Sequence, residues 1–336
     1  MSILTFLKMG LRDNVTITLF SLSTSDLCYL VIRSVPTVGR FIISNHPNHP
    51  WPFHPHILTL GTFWYSFVFY DFSAFVSVFL AVVRCACVAK PLLFKSMFTK
   101  ARTLSILGSL FLLALVLRIP VLTVFRLTWI ANPRTNATFR TVEYTENFME
   151  IYKANDIANR NILSWLTYIT MVVCVVILAS KLRAASRLRH TLTAQTVHED
   201  IRDTEISDMQ AVPRSITNST SSSLPPTISE TNNKTPHNSK DLNKISSKDL
   251  QVIQSVTLIC FIFIFSQLPY QAVSTVRLLD PEFNDVGSRV LLYGIMGHVS
   301  TTFSFINASI NIVVLYNYNT KYREQFRALF CHASLK

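Results

Sequence analysis

The chain carries apolar runs too long to be the core of a soluble domain: residues 15–43, 57–83, 104–125, 162–182, 250–276 and 290–315. An α-helix needs about 20 residues to cross the hydrocarbon of a bilayer. Lipid offers no hydrogen bonds, so a crossing segment must satisfy its own backbone, and helices follow. Charged residues make up 15% of the chain and hydrophobic ones 49%. A soluble domain carries about 25% charged residues. The fold class expected is therefore all-α, a transmembrane helix bundle.

The net charge of +12 raises the question of nucleic acid, and its distribution answers it. Lys8 and Arg12 precede the first full span. Arg84, Lys90, Lys95, Lys100 and Arg102 lie between the second and third. Lys181, Arg183, Arg187 and Arg189 follow the fourth, and Lys321, Arg323 and Arg327 follow the last. With alternating spans all of these fall on one side, the positive-inside pattern. The charge belongs to a bilayer, with no nucleic-acid partner, and both ends of the chain are expected in the cytoplasm. The opposite loop, 127–161, mixes Arg134, Arg140 and Lys153 with Glu143, Glu146, Glu150 and Asp156.

Residues 184–248 are rich in Ser, Thr, Asn and Lys. Such a composition buries too little apolar surface to offset chain entropy, so a disordered cytoplasmic loop is expected, either a linker or a phosphorylation-controlled segment. This divides the chain into a bundle segment 1–183, the loop 184–248, two further spans in 249–317 and a tail 318–336. In the tail, Tyr322, Phe326 and Phe330 recur every four residues with Lys321, Arg323 and Arg327 on other faces, the pattern of an interfacial amphipathic helix. Cys331 beside it is a palmitoylation candidate, with a plain free thiol as the alternative. The outer loop 45–57 holds His46, His49, His54 and His56 among prolines. No cysteine or carboxylate accompanies them, which argues against a metal site, and Trp51 there suits the membrane interface. Of the Asn-X-Ser/Thr matches, only Asn136 falls on the outer side, so it is the glycan candidate. No outer loop carries a cysteine, and no extracellular disulfide is expected. The first residues are too short an apolar run for a signal peptide.

Several landmarks stand in a fixed order. Arg84 closes the second full span and Pro91-Leu92 follow it. Leu22-Ser-Thr-Ser-Asp26 lies in the first full span. Pro269 sits in the fifth, six residues after Phe263. Asn307-Ala-Ser-Ile-Asn311 lies in the sixth, and the amphipathic run 322–331 comes next. This series resembles the rhodopsin-like (class A) G-protein-coupled receptors, and its flavour is similar to gastropod chemosensory and peptide receptors. The resemblance covers nearly the whole chain from Phe6. It implies a bundle of the seven-helix type with six full spans present, plus amphipathic helix 8. Residues 1–7 would be the last turns of the first helix, so the chain is either a fragment or a six-span product. Departures are visible. Thr59 stands where the family has its disulfide cysteine, Val83 where it has an acid, Gln267 where it has a tryptophan. Ile312 replaces the proline of the last span, and Leu315 its tyrosine, with Tyr316 one step on.

By resemblance, Arg84, Pro91, Asp249, Asn311 and Tyr316 belong to the coupling switch, with Arg84 and Asp249 expected to pair across helices in the resting state; a local pair of Asp249 with Lys248 is the alternative. The ligand pocket is expected among Ser66, Phe67, Tyr70, Asp71, Gln267, Tyr270, Gln271, Ser274 and Thr301. Ser66 occupies the aspartate position of amine receptors, which argues against a monoamine. Arg33, Asp71 and Arg118 are charges inside spans, and such residues are functional or paired by default. The arginines either receive a carboxylate or a peptide C-terminus, or one of them pairs with Asp71. Asp26, Ser73, Asn307 and Asn311 resemble the receptor sodium pocket. Sodium is thus a possible allosteric modulator, with an ion-free polar network as the alternative, and no other cofactor is expected. A buried carboxylate costs roughly 2.5–3.5 kcal/mol on insertion scales, so Asp26 needs partners of one kind or the other.

Enzyme motifs are missing from the sequence: His198-Glu199 lacks a second histidine, and there is no Cys-x-x-Cys or phosphate-cradling glycine loop. The function expected is a multi-pass plasma-membrane receptor that takes an extracellular small molecule or peptide and activates a heterotrimeric G protein. The alternatives are a six-span transporter or channel, or a truncated receptor product that does not signal.

Overall fold

The structure is a computed structural model that describes residues 2–11, 13–45, 55–89, 98–131, 138–184, 247–280, 282–284 and 287–330. One unit comprises Met1–Ala179 with Gln251–Lys336 and holds most of the helices. Of the other, Ser180–Leu250, the described pieces 180–184 and 247–250 are helical. In chain order the elements are α1 (Ser2–Met9), α2 (Asn14–Asn45), α3 (Pro55–Ala89) and α4 (Lys100–Leu122). A hairpin of β1 (Phe125–Ala131) and β2 (Thr138–Tyr144) follows. Then come α5 (Phe148–Ala184), α6 (Ser247–Leu279), α7 (Val290–Tyr318) and α8 (Thr320–Phe330). Six of these, α2 to α7, are long and apolar enough to cross a membrane.

The spans expected from hydropathy are each present, five of them with ends shifted by up to six residues, the third closing at Leu122 rather than at residue 125. One differs more. The fourth span was expected from residue 162, yet α5 begins at Phe148, fourteen residues earlier. Its first turns carry Asn155, Asp156, Asn159, Arg160 and Asn161, which hide it from hydropathy. These residues form a π-helical segment, Asp156–Leu163. Asn161 Nδ2 donates to the Asp156 carbonyl at 3.0 Å, and Asn159 Nδ2 to the Leu117 carbonyl of α4 at 2.9 Å. The wider winding is thus held by side-chain amides rather than by apolar burial, and such segments often mark functional positions.

The hairpin was likewise not expected. Its strands pair antiparallel from Phe125 opposite Tyr144 to Ala131 opposite Thr138. Alternation in Phe125–Ala131 is broken by Leu127-Thr-Trp-Ile130, of which Leu127, Trp129 and Ile130 are exposed. Aromatic rings fasten the hairpin to the bundle: Phe125 lies 6.4 Å from Trp64 of α3 and 5.7 Å from Tyr144, and Tyr144 lies 4.4 Å from Phe148 of α5. Trp64 also meets Tyr152 edge-on at 5.9 Å. These contacts join the loop to α3 in a chain with no cysteine there; Thr59's side chain lies outside the described residues. Between α6 and α7, Ser288 N–H donates to Glu282 and holds its carboxyl below the usual range. A Cβ at Gly287 would meet the Glu282 carbonyl at 2.2 Å, so this turn requires glycine.

Packing differs along the helices. One core joins Val76, Leu80 and Ala81 of α3 to Met171 and Cys174 of α5 and to Val256, Ile259, Cys260 and Phe263 of α6. It continues to Phe6 of α1 and Tyr322 of α8, whose rings lie 5.2 Å apart. Tyr322 shares a 2.6 Å hydrogen bond with the Ser2 hydroxyl, and burial pushes its own hydroxyl pKa up. Lys8 closes α1 and Gly10, at φ 78°, releases the chain into α2 as only glycine does without strain.

Candidate functional site

The middle of the bundle is built around Asp26, which α2 buries to 4% exposure. Ser73 of α3 donates to its Oδ1 at 2.6 Å and Asn311 of α7 donates to its Oδ2 at 2.7 Å. A small cavity adjoins the carboxylate, lined also by Tyr29, Ser304 and Asn307. Asn311 Oδ1 is buried without a hydrogen-bond partner. An orphaned amide oxygen beside a carboxyl group and hydroxyls is an all-oxygen donor set, of the kind that suits a hard cation. The residues that the resemblance picked out for sodium are thus brought together, and they fit the ion.

One layer outward, Tyr70 of α3 donates to Gln267 Oε1 of α6 at 2.9 Å. Both residues line the Asp26 cavity and a second small cavity between α3, α5 and α6. Gln271 lines that second cavity and donates to Ser164 Oγ of α5 at 2.6 Å. Ser274 donates to the Arg160 carbonyl at 2.8 Å, tying α6 to the π-helical segment.

The two arginines expected at the ligand site part ways. Arg118 of α4 is 1% exposed and gives Asp71 Oδ2 two contacts of 2.6 Å, from Nε and Nη2. The remaining nitrogen, Nη1, reaches Asn155 at 3.5 Å. Arg118 is therefore an internal partner of Asp71, and it is not among the residues lining the outer cleft. Arg33 does line that cleft, over the ring of Phe63 at 4.3 Å and 3.5 Å from the Thr301 hydroxyl. The cleft measures about 820 Å³ with its open mouth and runs between α2, α3, α5, α6 and α7. Tyr70, Tyr270 and Thr301 line it; Ser66, Asp71, Gln267 and Gln271 do not, the last three lining the second cavity instead. Ser66 is fully buried, with its hydroxyl turned back to the Phe63 carbonyl at 2.6 Å.

Sequence reasoning missed Arg160, which also lines the cleft. Asp156 holds it at 3.2 Å and holds Arg277 of α6 at 3.0 Å. The i, i+4 spacing of Asp156 and Arg160 was a helical signal, obscured because the segment was read as a loop. Tyr29 and Tyr293, which complete the cleft wall, were missed too; nothing in their local sequence distinguishes them from other interfacial tyrosines.

At the inner end, Arg84 is 9% exposed on α3, one residue before Cys85, whose thiol donates to the Cys174 carbonyl of α5 at 3.4 Å. Arg84 therefore sits in the bundle, at the edge of the α3–α5–α6 core. Tyr316 faces α8: its hydroxyl accepts from Arg327 at 3.2 Å and its ring meets Phe326 edge-on, while Leu315 beside it is the buried residue. Pro91, Asn136, Cys331, the histidines at 46, 49 and 54 and the side chains of His56 and Asp249 lie outside the described residues. Among the described residues, Cys28, Cys85, Cys87, Cys174 and Cys260 are free thiols.

The family described as the 7 transmembrane receptor (rhodopsin family) matches residues 2–332. No curated protein matches the chain. The family match sets aside the transporter and channel readings.

Proposed function

The chain belongs to the rhodopsin family of seven-transmembrane receptors, and from that premise we propose that its outer cleft binds an extracellular ligand whose occupancy frees the Arg84 end of α3 for a heterotrimeric G protein. As a member of the family it is a multi-pass receptor of the plasma membrane. The observation that carries the proposal is the Tyr70–Gln267 hydrogen bond. It joins α3 to α6 directly below the cleft and directly above the Asp26 cavity.

Outward of this bond, α6 is held by directional contacts: Gln271 to Ser164, Ser274 to the Arg160 carbonyl, Arg277 to Asp156. Inward of it, α6 is held by close packing of Val256, Ile259, Cys260 and Phe263. Pro269 lies between the two, and its missing N–H removes one rung of the helix. A ligand that rearranges the outer contacts re-aims α6 about this weak point, and the inner packing yields by sliding. Two arrangements of one helix with different ligand affinity are sufficient for a population shift. Asp26, Ser73, Asn307 and Asn311 would hold a sodium ion that supplies a charge bridge among α2, α3 and α7.

The test is nucleotide exchange by a heterotrimeric G protein with the chain reconstituted in nanodiscs. The account expects exchange above that of empty discs, lost in Arg84→Ala. Equal exchange with the chain and with empty discs, across a panel of Gα subtypes and extracellular extracts, refutes it.

A further inference from the structure

The small cavity between α3, α5 and α6 is lined by Asp71, Asn159, Ser164 and Gln271, and by Tyr70 and Tyr270 on the side of the cleft. Two of these side chains hold an acceptor with nothing to accept. Asn159 is 8% exposed and Gln271 3%. Asn159 Oδ1 and Gln271 Oε1 are both buried without a hydrogen-bond partner. The orientation of the Asn159 amide is forced. Its Nδ2 donates to the Leu117 carbonyl at 2.9 Å and to Asn155 Oδ1 at 2.7 Å, oxygens that only accept. Asn155 is oriented in turn by Arg118, whose Nη1 reaches the same Oδ1 at 3.5 Å. Gln271 spends its Nε2 on Ser164 Oγ at 2.6 Å. A buried acceptor left without a donor carries the full cost of its desolvation. Two of them on one cavity, one from α5 and one from α6, call for an occupant that donates.

The wall also decides the charge of that occupant. Asp71 brings a carboxylate, but its Oδ2 takes two contacts of 2.6 Å from Arg118, and the pair is neutral as it stands. An ammonium would add a charge that the bilayer penalises. A carboxylate would set its oxygens against the two amide oxygens. A neutral group with two N–H donors meets neither objection. Ser164, which accepts from Gln271, can give its own proton to the carbonyl of such a group. The way in from the outer cleft passes Tyr70 and Tyr270, which line both spaces and whose rings stand 5.8 Å apart.

We propose that this cavity is the specificity subsite of the receptor and takes a primary carboxamide, whose two N–H groups bond Asn159 Oδ1 and Gln271 Oε1. The remainder of the ligand stays in the cleft, against Phe63, Phe67 and Tyr29. The proposal rests on the cleft being the ligand site. Gln271 lies within a turn of Pro269, so the occupant joins α5 to α6 beside the break in that helix.

Primary carboxamides come from two sources, small molecules and C-terminally amidated peptides, and the test separates them. The full chain in nanodiscs is titrated with benzamide and hexanamide, and with mixed-sequence pentapeptide amides, and the unfolding temperature is followed. Each probe is run beside its N,N-dimethyl amide, which keeps the carbonyl and loses both donors, and beside its free acid. The expected result is stabilisation by primary amides of at least one source, about 10-fold or more weaker with the dimethyl amides, and none with the acids. Gln271→Met should weaken the response to the primary amide about 3- to 10-fold and leave that to the dimethyl amide unchanged. Should Gln271→Met fail to insert and fold, the amide series on the unaltered chain decides alone. Equal response to primary and dimethyl amides, an equal response to acids, or no response, with water alone in the cavity, overturns the proposal. Nucleotide exchange driven by a ligand that has no N–H or O–H donor would defeat the subsite and leave the receptor reading intact. Amide binding without exchange on any G protein would do the reverse.

Discussion

The inner and outer halves of this bundle are held together by different physics. Around Leu80, Val256 and Cys260 the helices meet mainly through hydrocarbon that fills space, with the Cys85 thiol's bond to the Cys174 carbonyl as a directional contact. Around Asp71, Asp156 and Tyr70 they meet through ion pairs and amide or hydroxyl contacts, each with a set partner and length. Lipid tails are as apolar as leucine, so the inner core gains its stability from close fit rather than from exclusion of water. Such an interface can slip by a rotamer at little cost. The outer half cannot slip without breaking a charged pair, so it changes only when something replaces the lost partner. The division suits the proposed function, in which the outer half recognises and the inner half moves.

The sharpest way to break the comparison is Arg118→Met. It leaves Asp71 buried without its partner and should cost about 3–5 kcal/mol, read as the unfolding free energy in lipid or detergent. Adding Asp71→Leu should restore most of the loss; no restoration would mean that the pair does more than neutralise itself. Leu80→Ala should cost less, about 2 kcal/mol, since only packing is lost. A larger loss than that of Arg118→Met would invert the contrast between the halves.

Next comes the polar centre between them. Sodium in place of potassium should raise the unfolding temperature by an amount equivalent to about 1–3 kcal/mol at saturation, and Asp26→Asn should remove that difference. Identical curves in the two salts for the unaltered chain would favour the ion-free network. A smaller effect is expected where α1 meets α8. Tyr322→Phe loses the Ser2 hydrogen bond, worth about 1 kcal/mol. Burial raises the Tyr322 pKa above its ordinary value of 10.0, so the native state favours the neutral hydroxyl. Its contribution is complete below pH 10 and fades as pH rises further, and Tyr322→Phe should flatten that alkaline loss. The smallest effect belongs to the exposed hairpin. Trp129→Ala removes a cation–π contact of 4.8 Å with Arg140 and should cost about 0.5 kcal/mol.

Hydropathy made the inner half legible, because a spanning run and its basic flanks report helix, length and side at once. The family resemblance, rather than hydropathy, singled out Asp26, Ser73, Asn307 and Asn311, because its register assigns them to facing helices. Hydropathy failed at the start of α5, where five polar residues within Asn155–Asn161 resemble a loop and yet pack inward. Asn159 and Asp156 there take partners in α4 and α6 that no window of sequence contains. The same limit applies to Arg118 and Arg160. Both are arginines of the outer half, and only the position of Asp71 and Asp156 decides which one is consumed and which one faces the cleft.

The central claim is that polar contacts at the outer end of α6 govern its packing beside Arg84 at the inner end. The most direct measurement is the distance between spin labels on Cys87 of α3 and on Gln254→Cys of α6, with the other cysteines replaced, in nanodiscs with and without nucleotide-free G protein. The account predicts a longer distance when the G protein is bound, and a shift toward that longer distance in Gln267→Leu without it. A distance unchanged by the G protein and by the substitution would contradict it.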